Sequence, residues 1–581
     1  MPLSPQARQD AVTRMATQRF DLVVVGGGVT GVGVALDAVT RGLTVALVEA
    51  RDYAAGTSSR SSKLIHGGLR YLEHLNFGLV REALRERALL LDRLCPHLVH
   101  PVRFLYPLTH RGWERLYVGA GIALYDVLGG GRGDSLRRHR HLSRTAALRA
   151  MPALRPDALV GAIAYDDGQV DDARHTVMVA RTAVERGALL ASSVRATGLL
   201  ERDGRACGIT ARDLETGQKL TVRARAVVYA TGVFTSALPG LDPGLSVTAS
   251  KGVHLVVPWD RIASRDVGTG LITKTATSVL FVIPWHGSHW LIGTTDTAWA
   301  LDLAHPAASA RDISYLLAQV NRVLVDPLTE NDVVGVYAGL RPLLAGESDA
   351  TSKLSREHAV VTPAPGLTVV AGGKYTTYRV MARDTVDVAT AGWSVPASGT
   401  AEVPLVGAEG YAELWRDRAA LADRQGLEIA RVEALLHRYG TLIHELLATT
   451  ADRPDLRAPL ASAPGYLRAE ASYAVTHEGA LHLDDILTRR TRISIETLDR
   501  GVDAAQEIAD LVAHPLGWSP ADLDREVEHY RMRVAAERQS QEQPDDLTAD
   551  AARLGARDVR LAPDHIRASD PAGVWPGGCL Q

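Results

Sequence analysis

The sequence predicts an α/β protein in three parts: a parallel sheet assembled from separated segments, a second, mostly antiparallel sheet, and an all-α C-terminal domain. Three observations carry the prediction. An apolar, β-branched run, Asp21-Leu-Val-Val-Val25, closes on Gly26-Gly-Gly-Val-Thr-Gly31. The same strand-to-glycine ending recurs at Arg225 to Gly232 and at Leu367 to Gly373. From about Ala401 the chain turns to Ala, Leu, Glu and Arg at helical spacing.

Composition bounds the rest. The chain has 581 residues, 46% hydrophobic and 23% charged, which excludes a disordered or disulfide-dense protein and suggests about three structural units. A formal net charge of −3 gives no basic field for nucleic acid. Cys95, Cys207 and Cys579 show no CxxC spacing, so a reducing compartment is expected and a metal site is not. Residues 1–18 are polar, with Pro2 and Pro5, and read as a flexible tail, neither signal peptide nor anchor. No stretch reaches the roughly 18 apolar residues of a spanning helix. The expectation is a cytoplasmic protein, with membrane contact left open.

In chain order, Asp21 to Val25 is a strand, Val32 to Thr40 a helix of small and apolar residues stopped by Gly42, and Leu43 to Val48 a second strand. Together they form one βαβ unit. Val247 to Val257, Ser278 to Pro284 and His289 to Thr294 read as strands of the second, substrate-side sheet. Tyr411 to Thr449 and Gly465 to Ala513 read as helices. The boundaries are then one large region over 19–395, with nucleotide segments near 19–90, 150–245 and 335–395 interleaved with segments of the second sheet, a helical domain over 401–535 and a loose tail over 539–581.

Gly26-x-Gly28-x-x-Gly31 sits between strand and helix, with Glu49 ending the next strand. Gly26 permits the tight turn, Gly28 lets backbone approach a pyrophosphate, Gly31 lets helix and strand pack, and Glu49 accepts from the adenosine ribose. An acid there argues against a 2′-phosphate. The hydroxyl-rich loop that follows, with Thr57, Ser58, Ser59, Ser61 and Ser62, suits a second phosphate and a larger cofactor. With the strand returning at Gly232, this favours FAD over NAD. The fold class is thus a discontinuous, two-dinucleotide-fold FAD-binding domain with a mostly antiparallel substrate-binding sheet.

At Ser61-Ser-Lys-Leu-Ile-His-Gly-Gly-Leu-Arg-Tyr-Leu-Glu73 the chain resembles the FAD-dependent glycerol-3-phosphate dehydrogenases, relatives of D-amino-acid oxidase. Gly339-Leu-Arg-Pro-Leu343, Leu354-Ser-Arg-Glu-His358, Gly372-Gly-Lys-Tyr-Thr-Thr-Tyr-Arg379 and Leu483-Asp-Asp-Ile-Leu-Thr-Arg-Arg-Thr-Arg492 are similar to later blocks of that family. The likeness covers about residues 18–535. It implies oxidation of sn-glycerol 3-phosphate to dihydroxyacetone phosphate, with Arg70, Arg341 and Arg356 on the phosphate, Tyr71 and Lys374 at the substrate, and Lys63, Gly373, Thr376 and Thr377 near the flavin.

The chemistry asked of such a site is a hydride acceptor, a base, cations for a dianion, and a group for the ketone oxygen. His66, between the hydroxyl-rich loop and a Gly-Gly turn, offers the base. Lys374 competes with it, because burial depresses a lysine pKa. Only six lysines stand among 64 basic residues, so a lysine inside a motif carries more weight than an arginine does. No internal relay spacing is present, so the electron acceptor is external. The resemblance implies membrane quinone, with oxygen as the alternative that makes a peroxide-releasing oxidase. A different FAD amine or hydroxy-acid oxidoreductase is the other reading.

Trp113 to Leu128 is apolar with aromatic ends and precedes Arg132, Arg137, Arg138, His139, Arg140 and Arg144. It reads either as an interfacial segment on anionic lipid, at the inner face of the plasma membrane, or as a core helix beside a solvated basic loop. The helical extension would cap the fold, pair two copies as a homodimer or bind a regulator. It carries no calcium-loop spacing.

Overall fold

The computed structural model describes residues 2–68, 76–110, 112–129, 136–237, 244–265, 268–275, 279–344 and 357–561. Among these, an eight-stranded sheet has strands Arg19–Val25, Val45–Val48 and Leu189–Ala191 on one side of the centre, and Lys219–Tyr229, Leu367–Gly372 and His358–Ala364 on the other. The pairings from Leu189–Ala191 through to Leu367–Gly372 are parallel. The central strand is buried on both faces, with Leu22, Val23 and Val24 fully enclosed, as expected of a strand covered by helices on either side. Helix Val29–Thr40 joins the first two strands. Its Gly33 packs so closely on helix Tyr378–Ala389 that a Cβ there would lie 3.1 Å from the Tyr378 ring.

The second sheet has ten strands. Val247–Pro258, Thr297–Trp299, His289–Gly293, Val279–Trp285, Thr269–Lys274, Val99–Leu108, Gly161–Val170 and Leu64–Ile65 form its main path. Gly335–Leu344 pairs antiparallel along Val247–Pro258, and the one parallel pairing is between Thr269–Lys274 and Val99–Leu108. The mostly antiparallel expectation therefore stands, with longer reach than expected. Strands 64–65 and 161–170, which the sequence reading put in nucleotide segments, belong to this sheet.

The C-terminal domain is helical, from Tyr411–Arg416 through Pro520–Gln541, with one short ribbon, Pro459–Leu460 against Ala463–Leu467. Two apolar clusters hold it, one around Leu483, Ile508, Val527 and Val534, the other around Val432, Leu436, Ile443 and Tyr473. Its junction with the first domain is ionic and buried. Asp52, fully buried, accepts from Arg489 Nε at 2.6 Å and from Arg490 Nη2 at 2.7 Å. Arg174 pairs with Glu478 at 2.7 Å, and Arg492 reaches Asp172 at 2.7 Å and Asp171 beside it. The Leu483–Arg492 block is thus the seam of the molecule.

The expected N-terminal tail is corrected, and the expected C-terminal tail only as far as residue 561. Pro5–Thr17 is a helix, capped by the Ser4 hydroxyl and started by Pro5, with Ala11, Val12 and Met15 buried. Arg8 anchors it to Asp213 at 2.7 Å. The polar composition that suggested flexibility is that of an amphipathic helix with a narrow apolar stripe. At the other end, helix Asp546–Arg553 buries Ala549, and its Asp546 accepts from the enclosed Lys251. Residues 562–581 lie outside the described part.

Candidate functional site

The fingerprint turn is built by backbone contact. A Cβ on Gly31 would lie 1.9 Å from the Gly26 carbonyl oxygen, and one on Gly26, at φ +114°, would lie 2.5 Å from that of Ala230. This is how strand Lys219–Tyr229, which runs on to Gly232, comes to sit beside the first turn. Gly28, at the N-cap of helix Val29–Thr40, brings no side chain to the helix start, whose positive end favours an anion. Glu49 accepts from Gly27 N at 2.6 Å and Arg51 N at 2.7 Å. Burial raises its carboxyl and those two N–H groups oppose the rise. Gly27, which the sequence reading passed over, is also obligatory: a Cβ there would lie 2.8 Å from the Glu49 Cβ.

The hydroxyl-rich loop is largely committed to holding itself. Thr57 donates to the Leu340 carbonyl at 2.6 Å, Ser58 accepts from Val29 N at 2.9 Å, and Ser59 donates weakly to Gly56 O at 3.4 Å. Ser61 donates to Asp172 at 2.7 Å, and Lys63 donates to the same carboxylate at 2.7 Å and to Ser59 O at 3.1 Å. Burial and the Arg492 charge push the Lys63 ammonium down, against Asp172 and Asp171. Lys63 therefore anchors the loop from beneath.

His66 is brought to the C-terminal motif from 310 residues away: its N–H donates to the Thr376 hydroxyl at 3.1 Å, and that hydroxyl donates to the His66 carbonyl at 3.2 Å. Lys374 Nζ reaches the Gly67 carbonyl at 3.4 Å, and Thr377 donates to the Lys374 carbonyl at 3.3 Å. Gly372 and Gly373 turn the chain with φ of +76° and +85°, values that L side chains rarely adopt. A Cβ on Gly373 would strike Met381 Sδ at 2.5 Å.

Arg341 lies on strand Gly335–Leu344. Its Nη2 donates to Thr294 Oγ1 at 2.9 Å and to Thr295 O at 3.1 Å, with Asp296 at 3.5 Å. Gly252 faces it because a Cβ would lie 2.5 Å from Nη2. The His66 and Arg341 groups are linked through two neighbouring strands. The His66 ring stands edge-on to Phe281, with centroids 6.3 Å apart, and Phe281 pairs with Gly293, beside the Thr294 that receives Arg341. Arg70, Tyr71, Arg356 and Arg132 lie outside the described residues.

Two features here had no local signal in the sequence. His254 is buried, stacks on Tyr337 at 4.8 Å, bonds Ser62 Oγ through Nε2 at 2.9 Å, and leaves Nδ1 without a partner. Burial, with Arg341 and Lys63 nearby, drives it well below the usual histidine range, so it is neutral. A Cβ on Gly293 would collide with its ring at 2.2 Å. Tyr125, on helix Trp113–Leu128, accepts from Gly67 N at 2.7 Å and donates to Asp167 at 2.9 Å. Burial raises Asp167 to about 6 although the Arg87 guanidinium, in contact with it, opposes. That network fixes the turn after His66.

The comparisons bear on this geometry. The family model described as FAD dependent oxidoreductase matches residues 21–379, and that of the C-terminal domain of alpha-glycerophosphate oxidase matches 398–523. The sequence is 57% identical over 565 residues to glycerol-3-phosphate dehydrogenase 2 of Mycobacterium tuberculosis, covering 96% of this chain and 95% of the relative. It is 36% identical to the human mitochondrial glycerol-3-phosphate dehydrogenase over 91% of this chain and 75% of that protein. The fold matches the crystal structure of the Bacillus halodurans glycerol-3-phosphate dehydrogenase complexed with FAD. The TM-score is 0.75 at 27% identity, over 92% of this chain and 98% of that one. The glycine cradle at Gly26, Gly28 and Gly31 and the buried Glu49 at the end of the next strand fit that cofactor.

Proposed function

The chain belongs to the FAD-dependent glycerol-3-phosphate dehydrogenases, and from that premise we propose that it oxidises sn-glycerol 3-phosphate to dihydroxyacetone phosphate and passes the electrons to a membrane quinone. The observation that carries this reading is the convergence of His66, Lys374 and Thr376, about 310 residues apart in the chain, onto one turn beside the fingerprint sheet. FAD, when bound, supplies the acceptor for the hydride leaving carbon 2. Gly26, Gly28, Gly31, Glu49 and Gly232 hold it, with Gly373, Thr376 and Thr377 at its ring end. His66 takes the hydroxyl proton, its backbone pinned twice by Thr376. Lys374 faces the oxygen that becomes the ketone. Arg341, with Arg70 and Arg356, holds the phosphate, and Tyr71 lies beside it. His254, neutral and with a free ring nitrogen, positions the substrate next to Arg341.

The test is an anaerobic absorbance titration with sn-glycerol 3-phosphate, followed by a quinone analogue or air. Bleaching with fast recovery on quinone and slow recovery in air is expected. Fast recovery in air with peroxide would support the oxidase reading, which the C-terminal family match favours. No bleaching of a flavin-loaded sample would sink the substrate assignment.

Membrane contact rests on helix Trp113–Leu128. No helix of the described residues is long and apolar enough to cross a membrane. This one exposes Trp113 (63%), Leu116 (76%), Tyr117 (55%) and Val127 (73%) on one face while burying Ile122 and Tyr125 on the other. Arg137, Arg138, Arg140 and Arg144 are exposed just after it. An apolar stripe flanked by arginines suits the surface of an anionic bilayer. In the Leu116→Glu, Val127→Glu double variant, co-sedimentation with phosphatidylglycerol vesicles should weaken by about tenfold or more. Anaerobic flavin reduction should keep its rate. Undiminished vesicle binding would rule the helix out as the docking element.

A further inference from the structure

We propose that an arginine-lined cavity between the 57–60 loop and the last two helices is a second anion site, separate from the substrate site, that takes a small phosphate-bearing molecule. The space is about 710 Å³, open solvent at its mouth included. Arg60, Arg533 and Arg553 converge on it from the loop, from helix Pro520–Gln541 and from helix Asp546–Arg553. His305 also faces it, and Glu537 is the one carboxylate among the described residues that line it.

The charges there are not balanced. Two further lining arginines are satisfied elsewhere, Arg489 by Asp52 and Asp485, and Arg492 by Asp171 and Asp172. Glu537 is shared, 2.9 Å from Arg533 and 3.5 Å from Arg553. Arg533 has Asp484 as well, at 2.8 Å, yet its Nη1 is buried without a partner. Among the described residues the Arg60 guanidinium forms no ion pair within 4 Å, and it donates to the Ala304 carbonyl at 3.5 Å. Burial, then Arg51 and Arg533, push the Arg60 guanidinium down to about 9, and burial lowers Arg553 too. His305, buried beside Arg51 and Arg553, is held well below the usual histidine range and adds no charge.

Enclosed guanidinium groups that repel one another are costly unless a counter-charge joins them. Planar forks from three directions match a phosphate better than a spherical halide or a single carboxylate. Such a ligand would bridge three separate segments. It would clamp residues 546–561 onto the loop whose Ser58 caps the fingerprint helix, so its occupancy should also stiffen the cofactor cradle.

The FAD-loaded full chain is the material for the test, with inorganic phosphate and glycerol 3-phosphate titrated separately against chloride at constant ionic strength. The unfolding midpoint of wild type should rise by about 2–4 °C at saturating phosphate, with slower proteolysis after residue 541. The gain should survive in Arg341→Ala, which disables the substrate site, and should vanish in Arg60→Gln and Arg553→Ala. Arg553→Lys, with flavin absorbance confirming the fold, should keep the charge but bind about tenfold more weakly. In the Arg341→Ala background, protection by either compound supports the site and names its source, the free ion or the ester. Protection by neither, or its loss in Arg341→Ala with retention in both cavity variants, would overturn the proposal.

Discussion

Replacing Arg341 with alanine is expected to lower kcat/KM for glycerol 3-phosphate about a thousandfold while leaving the FAD content intact. Two charge-assisted hydrogen bonds to a phosphate contribute about 3–5 kcal/mol together, and each 1.36 kcal/mol is about a factor of ten in rate. The guanidinium is positioned by the absence of a side chain at Gly252 and by two acceptors, Thr294 Oγ1 and Thr295 O. Lysine should restore less than a tenth of the loss, since a point charge does not reproduce the fork. The discriminating substrate is glycerol, which lacks the phosphate: its slow oxidation should change by less than about threefold by the same arithmetic. An equal loss for glycerol would mean that Arg341 only braces the neighbouring strands.

The second large effect is on stability. Asp52→Ala should destabilise the protein by about 3–5 kcal/mol, because it leaves Arg489 and Arg490 sharing a buried seam without the carboxylate between them. The three side chains are at most 3% exposed. Hydrogen exchange should show the C-terminal helices losing protection before the parallel sheet, since the seam is what joins the two cores. The contrasting pair, Arg453 with Asp455, is about half exposed on both sides. Asp455→Ala should therefore shift the urea midpoint by no more than about 1 kcal/mol equivalent. Equal effects from the two substitutions would show that the buried pair is not what holds the domains together.

Much of the nucleotide half was legible because its constraints are local. Gly26 and Gly31 press on each other within one turn, and Glu49 closes the adjacent strand, so the requirement for glycine or acid is written in consecutive residues. The N-terminal tail was misread for a related reason. Polar composition reports how little surface a segment buries, and helix Pro5–Thr17 buries only a narrow stripe, held by one ion pair with Asp213. His254 was invisible because a single histidine in an apolar strand looks like any core histidine. Only the register that sets it against Gly293 and Tyr337, near Arg341, singles it out.

By itself the sequence determined the cofactor cradle, the two-sheet α/β plan and the helical domain. All three follow from glycine placement and hydrophobic period over windows of a few residues. Tertiary structure alone decided what those windows meet. Asp52 finds Arg489 across 437 residues, His66 finds Thr376 across 310, and Tyr125 turns an exposed helix into the support of the turn after His66. Such pairings depend on which buried surfaces come together, because a charge or hydroxyl gains its strength and its shifted pKa only once water has been removed around it.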